Sequence, residues 1–337
     1  MSLEQYTKTL LPEIEKELQA QVSRLDESHT RLFHEMLSYH MGWTGEGAGR
    51  EAAGKRIRPL MLLLATASFE GDWRLALPAA AAVELVHNFS LVHDDVQDNS
   101  AKRRGRPTVW KKWGIPMAIN AGDALFVISN QAIMDLSKLH PAQTVVRAST
   151  ILFDTCLDLT RGQFMDMSYE ERMDLTIDDY WPMVGGKTSA LLSACPLLGA
   201  LLGNASLEAQ ESYRNFGFHL GQAFQIQDDI LGIWGDEAHT GKSATSDLVE
   251  GKNSLPILYA LGKGGRFASR WNQGPIEARE VRSLAAQLEA EGARAFADEM
   301  SLKETEKALG FLEEANPGGS AGDAMLELAN ILLQRNQ

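Results

Sequence analysis

The chain has few cysteines, no surplus of positive charge and no apolar run long enough to cross a membrane. Two cysteines in 337 residues, Cys156 and Cys195, are too few for a disulfide framework or a Cys-rich metal site. A reduced, cytoplasmic compartment is the expectation. Lys plus Arg number 32 against 45 Asp plus Glu, a net charge of -13, which argues against general nucleic-acid binding. Met1 to Leu11 lacks a basic start followed by an apolar core, so no signal peptide is expected. The longest apolar stretch, Leu191 to Leu202, is interrupted by Ser193 and Pro196 and falls short of the ~20 residues of a bilayer span. No stable membrane insertion is therefore expected. Runs of alternating polar and apolar residues bounded by turn signals are missing. So is the Walker pattern: Gly186-Lys187-Thr188 and Gly241-Lys242-Ser243 are fragments of it.

What remains reads as helix. Leu3 to Leu25, Arg58 to Phe69, Leu75 to Asp98, Met117 to Leu139, Gln143 to Met167, Thr188 to Leu202 and Leu207 to Trp234 carry apolar residues at helical spacing. Several are apolar on most faces, which belongs to the interior of a large bundle. Breaks fall at Gly42 to Gly54, Arg104 to Pro107, Gly235 to Pro256 and Gly262 to Gly274. The expected class is all-α, a single large helical bundle forming one domain over residues 1–337.

Two aspartate clusters lie 134 positions apart, each behind an apolar stretch: Asp94, Asp95 and Asp98 in D-D-V-Q-D, and Asp228 and Asp229 in D-D-I-L-G. Each is placed where a helix is expected to end. Acidic groups there meet the negative end of the helix dipole. Asp94 and Asp98 are also a like-charge i,i+4 pair, costing roughly a few tenths of a kcal/mol unless neutralised. A charge-rich helix end can be merely solvated, but two such clusters point to bound divalent cations. Oxygen-only ligands favour Mg²⁺, held by one or two carboxylates plus substrate phosphates. Asp95 turns about 100° away from Asp94 on the wheel and supports the pair rather than joining it.

Basic groups accompany the first cluster. Lys102-Arg103-Arg104-Gly105-Arg106-Pro107-Thr108 follows it, and Gly54-Lys55-Arg56-Ile57-Arg58-Pro59 precedes it. They could simply offset the acids. Arginine forks, however, match phosphate oxygens bidentately, and acid beside base suits a metal-bridged phosphate ester. His87 is seven residues before Asp94, two turns away on nearly the same face. A lone His on a buried helix is ordinarily a core residue; its alignment here makes ligand contact an equal alternative.

Taken together, these motifs resemble the trans-isoprenyl diphosphate synthases, the polyprenyl synthetase family. The resemblance runs from about Gly54 to Pro256. It rests on G-K-R-I-R-P, on H-D-D-V-Q-D followed by R-R-G-R-P-T, on Gly162-Gln163 with Asp166, on Lys187-Thr188, on F-Q-I-Q-D-D, and on the loop from Lys242 to Lys252 ending Ser254-Leu255-Pro256. Its closest flavour is that of bacterial geranylgeranyl diphosphate synthases. It implies an isoprenoid-synthase fold around a deep central cavity, a homodimer, and about three Mg²⁺ ions per site. By resemblance, Asp94 and Asp98 hold two of these and Asp228 the third. Arg103, Lys187 and Lys242 contact the allylic diphosphate, with Asp95 and Asp229 in support. Isopentenyl diphosphate sits on Lys55, Arg58, His87 and Arg104. Gln225, Thr188 and Gln163 line the reacting centre, with Asp166 in the cavity.

The implied reaction ionises an allylic diphosphate, attacks the cation with the double bond of isopentenyl diphosphate, and loses a proton. No protein nucleophile is required. Phe89 and Ser90, five and four residues before Asp94, stand where the family places its chain-length floor, which suggests a twenty-carbon product. Ser90 lies about 40° from Asp94 on the wheel and Phe89 about 140°, so Phe89 also fits core packing. A farnesyl or longer-chain synthase is the alternative. A class I terpene cyclase and a catalytically silent subunit are further readings. One departure is Gly232, where many family members carry a third aspartate.

Overall fold

A computed structural model describes residues 1–25, 28–170, 172–235 and 246–333. The described residues are overwhelmingly helical and divide into two compact units. The first comprises Met1–Asp154, Ala194–Gln210 and Asn316–Met325; the second comprises Thr155–Ser193, Glu211–Ala315 and Leu326–Gln337.

In order, the helices of the first part of the chain are α1 (Leu3–Val22), α2 (Arg31–His40), α3 (Arg50–Ala53), α4 (Ile57–Ala67) and α5 (Leu77–Gln97). A two-residue hairpin follows, β1 (Lys102–Arg103) with β2 (Arg106–Pro107), then α6 (Val109–Trp113) and α7 (Ile115–Met134). After α8 (Ala142–Tyr169) and α9 (Ile177–Val184), a π-helical segment, Gly185–Ser189, leads into α10 (Ala190–Leu202) and α11 (Leu207–Trp234). The remainder is α12 (Ser246–Glu250), α13 (Leu255–Lys263), α14 (Arg266–Trp271), α15 (Val281–Ala290), α16 (Ala293–Glu314) and α17 (Gly319–Leu333).

In the first unit, α5 opens with Pro78, whose missing N–H costs nothing in a first turn, and buries the run Ala79 to Val86. It packs along α7. There Gly122 admits the His93 ring so closely that an added Cβ would lie 2.2 Å from its Nε2. Gly199 lets α10 touch the backbone of α4, with its absent Cβ only 2.2 Å from the Leu62 carbonyl oxygen. A buried ion group locks the α4 start: Arg56 Nη1 donates to Glu84 at 2.8 Å and Nε donates to Glu15 at 2.6 Å. In the second unit, Ile226 and Ile230 of α11 pack with Tyr180, Val184 and Leu258. A neighbouring cluster joins Phe267, Leu284 and Leu288.

The expectation that no apolar run is long enough to cross a membrane is corrected: two helical stretches, Trp73–Gln97 and Ile177–Leu202, pass that test by length and composition, because each joins apolar runs that polar residues interrupt. Their apolar windows are 78% and 72% buried inside the fold, as core helices are. The hairpin was not expected from the sequence: two residues per strand leave no alternation to read.

Candidate active site

In the first unit the α5 terminus presents the first aspartate cluster. Asp94 is half-buried in the last turn, and Asp98 is the exposed residue that ends the helix. No basic residue occupies that turn, and both carboxylates meet the negative helix end. Asp95 is buried, and its Oδ1 accepts from Arg103 Nε at 2.8 Å. Burial pushes its carboxyl up to about 6, with Arg103 opposing the shift. Asp95 thus ties the helix end to the hairpin, as its wheel position suggests.

The hairpin turn is Arg104-Gly105, with φ of 50° and 76°. Two positive values define a type I′ turn, whose twist suits such short strands. Gly105 fits that conformation freely, whereas Arg104 is an uncommon left-handed residue. Its Nη1 donates to the carbonyls of Ala52 and Ala53 at 2.9 and 2.8 Å. Its guanidinium covers Gly54, where an added Cβ would lie 2.6 Å from Cζ. The fold therefore brings the two basic motifs together.

Arg58 and His87 belong to the same neighbourhood. Burial, then Arg58, Arg104, Arg103 and Arg56, hold His87 well below its usual pKa, so the ring is neutral. Burial, then Arg103, Arg104 and Arg56, bring His40 down to about 3. Arg58 Nε is buried without a hydrogen-bond partner among the described residues. Arg56 is answered by Glu84 and Glu15, but among the described residues Arg58 and Arg104 have no acidic hydrogen-bond partner. This concentration of cationic forks suits an anion with several oxygens. Lys55 stands exposed just before α4. Arg106, the third arginine of the motif, is instead buried in structural bonds to the Tyr39, Thr44 and Glu46 carbonyls.

Phe89 is buried against Phe126 of α7, ring centroids 5.1 Å apart, and edge-on to His93 at 5.9 Å. Ser90 turns its hydroxyl to the His87 carbonyl at 2.8 Å.

In the second unit, Lys187 and Thr188 lie in the π segment, and Lys187 forms an ion pair with Asp166 of α8. Gly162 and Gly186 allow the backbones to touch: a Cβ on Gly162 would lie 2.0 Å from Lys187 N. Gln163 is buried beside that crossing. Thr188 Oγ1 donates to Gln225 Oε1 at 2.8 Å, and Gln225 Nε2 donates to Asp229 Oδ1 at 2.9 Å. Asp229 Oδ2 accepts from the Tyr180 hydroxyl at 2.8 Å and from Leu255 N at 3.0 Å. Burial pushes Asp229 up to about 7, against those hydrogen bonds. Asp228 is exposed on α11, two turns before its end rather than at it. Lys242 lies outside the described residues.

The sequence reading missed Tyr180, which no spacing rule links to Asp229, and Asp247. The carboxylate of Asp247 lies where a side chain at Gly232 would stand, 2.3 Å from the position of an added Cβ. The absence of a side chain at 232 was the available signal.

The donors fit a hard cation. Asp94 and Asp98 supply only oxygen, and among the described residues no three His, Cys, Asp or Glu side chains form a ready metal cage. A cation here would complete its shell with phosphate oxygens and water, as Mg²⁺ does.

Comparison with known proteins shows the family to which the chain belongs. Residues 49–286 match the polyprenyl synthetase family model. A geranylgeranyl diphosphate synthase of Mycobacterium tuberculosis is 44% identical over 248 residues, 73% of this chain and 70% of that one. A (2E,6E)-farnesyl diphosphate synthase of the same organism is 35% identical over 311 residues, 89% of this chain and 85% of that one. A polyprenyl synthetase crystal structure from Streptomyces coelicolor A3(2) superposes with a TM-score of 0.87 at 32% identity, covering 98% of this chain and 99% of that one. The chain belongs to the polyprenyl synthetase family and has its all-helical isoprenoid-synthase fold. It is a trans-prenyltransferase.

Proposed function

We propose that this protein is a geranylgeranyl diphosphate synthase, condensing isopentenyl diphosphate with farnesyl diphosphate. The observation that carries the reading is the α5 end, where Asp94 and Asp98 meet a tightly built group of arginines around a neutral His87. That juxtaposition suits a metal-bound diphosphate beside a second, metal-free one.

In this reading Asp94, Asp98 and Asp228 are the Mg²⁺ ligands. Bound Mg²⁺ supplies charge neutralisation to the departing diphosphate. Arg103, Lys187 and Lys242 bind diphosphate oxygens, and their charge is worth most where negative charge grows in the transition state. Asp95 holds Arg103 in place. Lys55, Arg58, His87 and Arg104 bind isopentenyl diphosphate. A neutral His87 donates one N–H without adding charge. Thr188, Gln225 and Gln163 turn polar side chains to the reacting carbons, Asp229 orients Gln225, and Asp166 sets Lys187.

Phe89, packed on Phe126, is the floor that sets a twenty-carbon product, beside Ser90. The 44% identity to a geranylgeranyl diphosphate synthase supports the same length. A farnesyl product is the second reading, favoured by the longer match to a farnesyl diphosphate synthase. A homodimer in the cytoplasm completes the proposal. The exposed apolar residues Val127 and Met134 on α7, with Val146 and Phe153 on α8, support self-association.

The test is incubation of purified protein with Mg²⁺, isopentenyl diphosphate and allylic starters of increasing length, followed by chromatography. Geranylgeranyl diphosphate from farnesyl diphosphate is expected. No consumption of isopentenyl diphosphate would refute the reading.

A further inference from the structure

The polar chain under Thr188 has a direction, and Tyr180 sets it. Both carboxyl oxygens of Asp229 are acceptors in this network. Asp229 Oδ2 is already taken by the Tyr180 hydroxyl at 2.8 Å and Leu255 N at 3.0 Å, which leaves Oδ1 for Gln225 at 2.9 Å. Gln225 must then offer its NH₂ to Asp229, so its carbonyl oxygen is the end that meets Thr188, 2.8 Å away. The two ends of a glutamine amide are told apart by such partners.

The anchor is rigid. Tyr180 is 1% exposed and Asp229 6% exposed. The Trp181 ring stands edge-on to Tyr180 with centroids 5.3 Å apart. Tyr180 and Thr188 lie on one helical stretch, α9 running into the π segment, and each is bonded to one of two residues a turn apart on α11. Tyr180 therefore fixes both the amide and the register of α9 against α11.

We propose that Tyr180 is a positioning residue which, through Asp229, keeps the carbonyl oxygen of Gln225 turned toward Thr188 and the reacting carbons. This rests on the reading that Thr188 and Gln225 line the reacting centre. An amide oxygen there faces a developing allylic cation with the negative end of its dipole, whereas a reversed amide would face it with N–H groups and oppose ionisation.

The test uses the full chain with Tyr180→Phe, Gln225→Ala and both together. Tyr180→Phe keeps the ring and removes one donor. It is expected to lower kcat about tenfold, leave KM for both diphosphates within about twofold, and have no further effect in the Gln225→Ala background. Equal losses in both backgrounds, or an unchanged kcat, would overturn the proposal. A substrate-free readout accompanies it. The side-chain NH₂ signals of Gln225, assigned by their loss in Gln225→Ala, should move toward those of solvent-exposed glutamines in Tyr180→Phe. Unchanged signals would overturn the proposal even if the wild-type protein proved not to condense the two diphosphates.

Discussion

The carboxylate of Asp247 fills the space above Gly232: a Cβ at residue 232 would lie 2.3 Å from its Oδ2 and 2.6 Å from its Cγ. A carboxylate is thus present at the position where the second motif lacks one, contributed from 15 residues downstream. Gly232→Ala should displace Asp247 and destabilise the fold by about 1–3 kcal/mol, the usual cost of overpacking. Asp247→Ala in that background should recover part of the loss. Denaturant melts of the two single variants and the double variant give the coupling; strict additivity would show that the two positions do not interact.

Glu84 neutralises Arg56 in the interior, where their side chains are 4% and 2% exposed. Glu84→Ala leaves Arg56 with Glu15 alone and is expected to cost about 3 kcal/mol, since an under-compensated buried charge is expensive. Urea unfolding measures it. A loss below about 1 kcal/mol would mean that Glu15 suffices.

Asp95 adds a pH signature. Its folded pKa, about 6, lies above the ordinary value of 3.8. The protonated acid therefore stabilises the folded state fully below the unfolded pKa, and that contribution is lost as pH rises through about 6. His40, brought down to about 3, acts in the opposite sense, losing stability as pH falls below its ordinary 6.5. Comparison of Asp95→Asn with wild type isolates the first effect. The variant's stability relative to wild type should improve between pH 4.5 and 7.5. A relative stability that falls over that interval would contradict burial as the dominant cause.

Phe89→Ala removes the ring that packs on Phe126. If Phe89 is the floor, the variant makes longer products, and the vacated core volume costs about 3–5 kcal/mol. Products of unchanged length from a folded variant would leave Phe89 as core packing alone.

Much of this was legible in the sequence because burial imposes periodicity. The apolar run Leu207 to Trp234 coincides with α11, and the run Leu75 to Asp98 brackets α5 within two residues. Asp95 was readable as a supporting residue because a wheel separates it from Asp94, and the fold pairs it with Arg103. The hairpin was not, because its Arg-Gly turn lacks the usual Asn or Asp at the first position. The π segment escaped notice because its sequence, Gly-Gly-Lys-Thr-Ser, has no apolar spacing to read. Tyr180 and Asp247 act on residues 49 and 15 positions away, across packing that one sequence does not encode locally.

The most direct measurement is the product of the purified wild-type protein given Mg²⁺, isopentenyl diphosphate and farnesyl diphosphate. Consumption of both diphosphates with geranylgeranyl diphosphate as the product, abolished by removing the metal or by Asp94→Ala, is the expected result. No consumption of isopentenyl diphosphate, or release of a hydrocarbon or alcohol from farnesyl diphosphate alone, would contradict it.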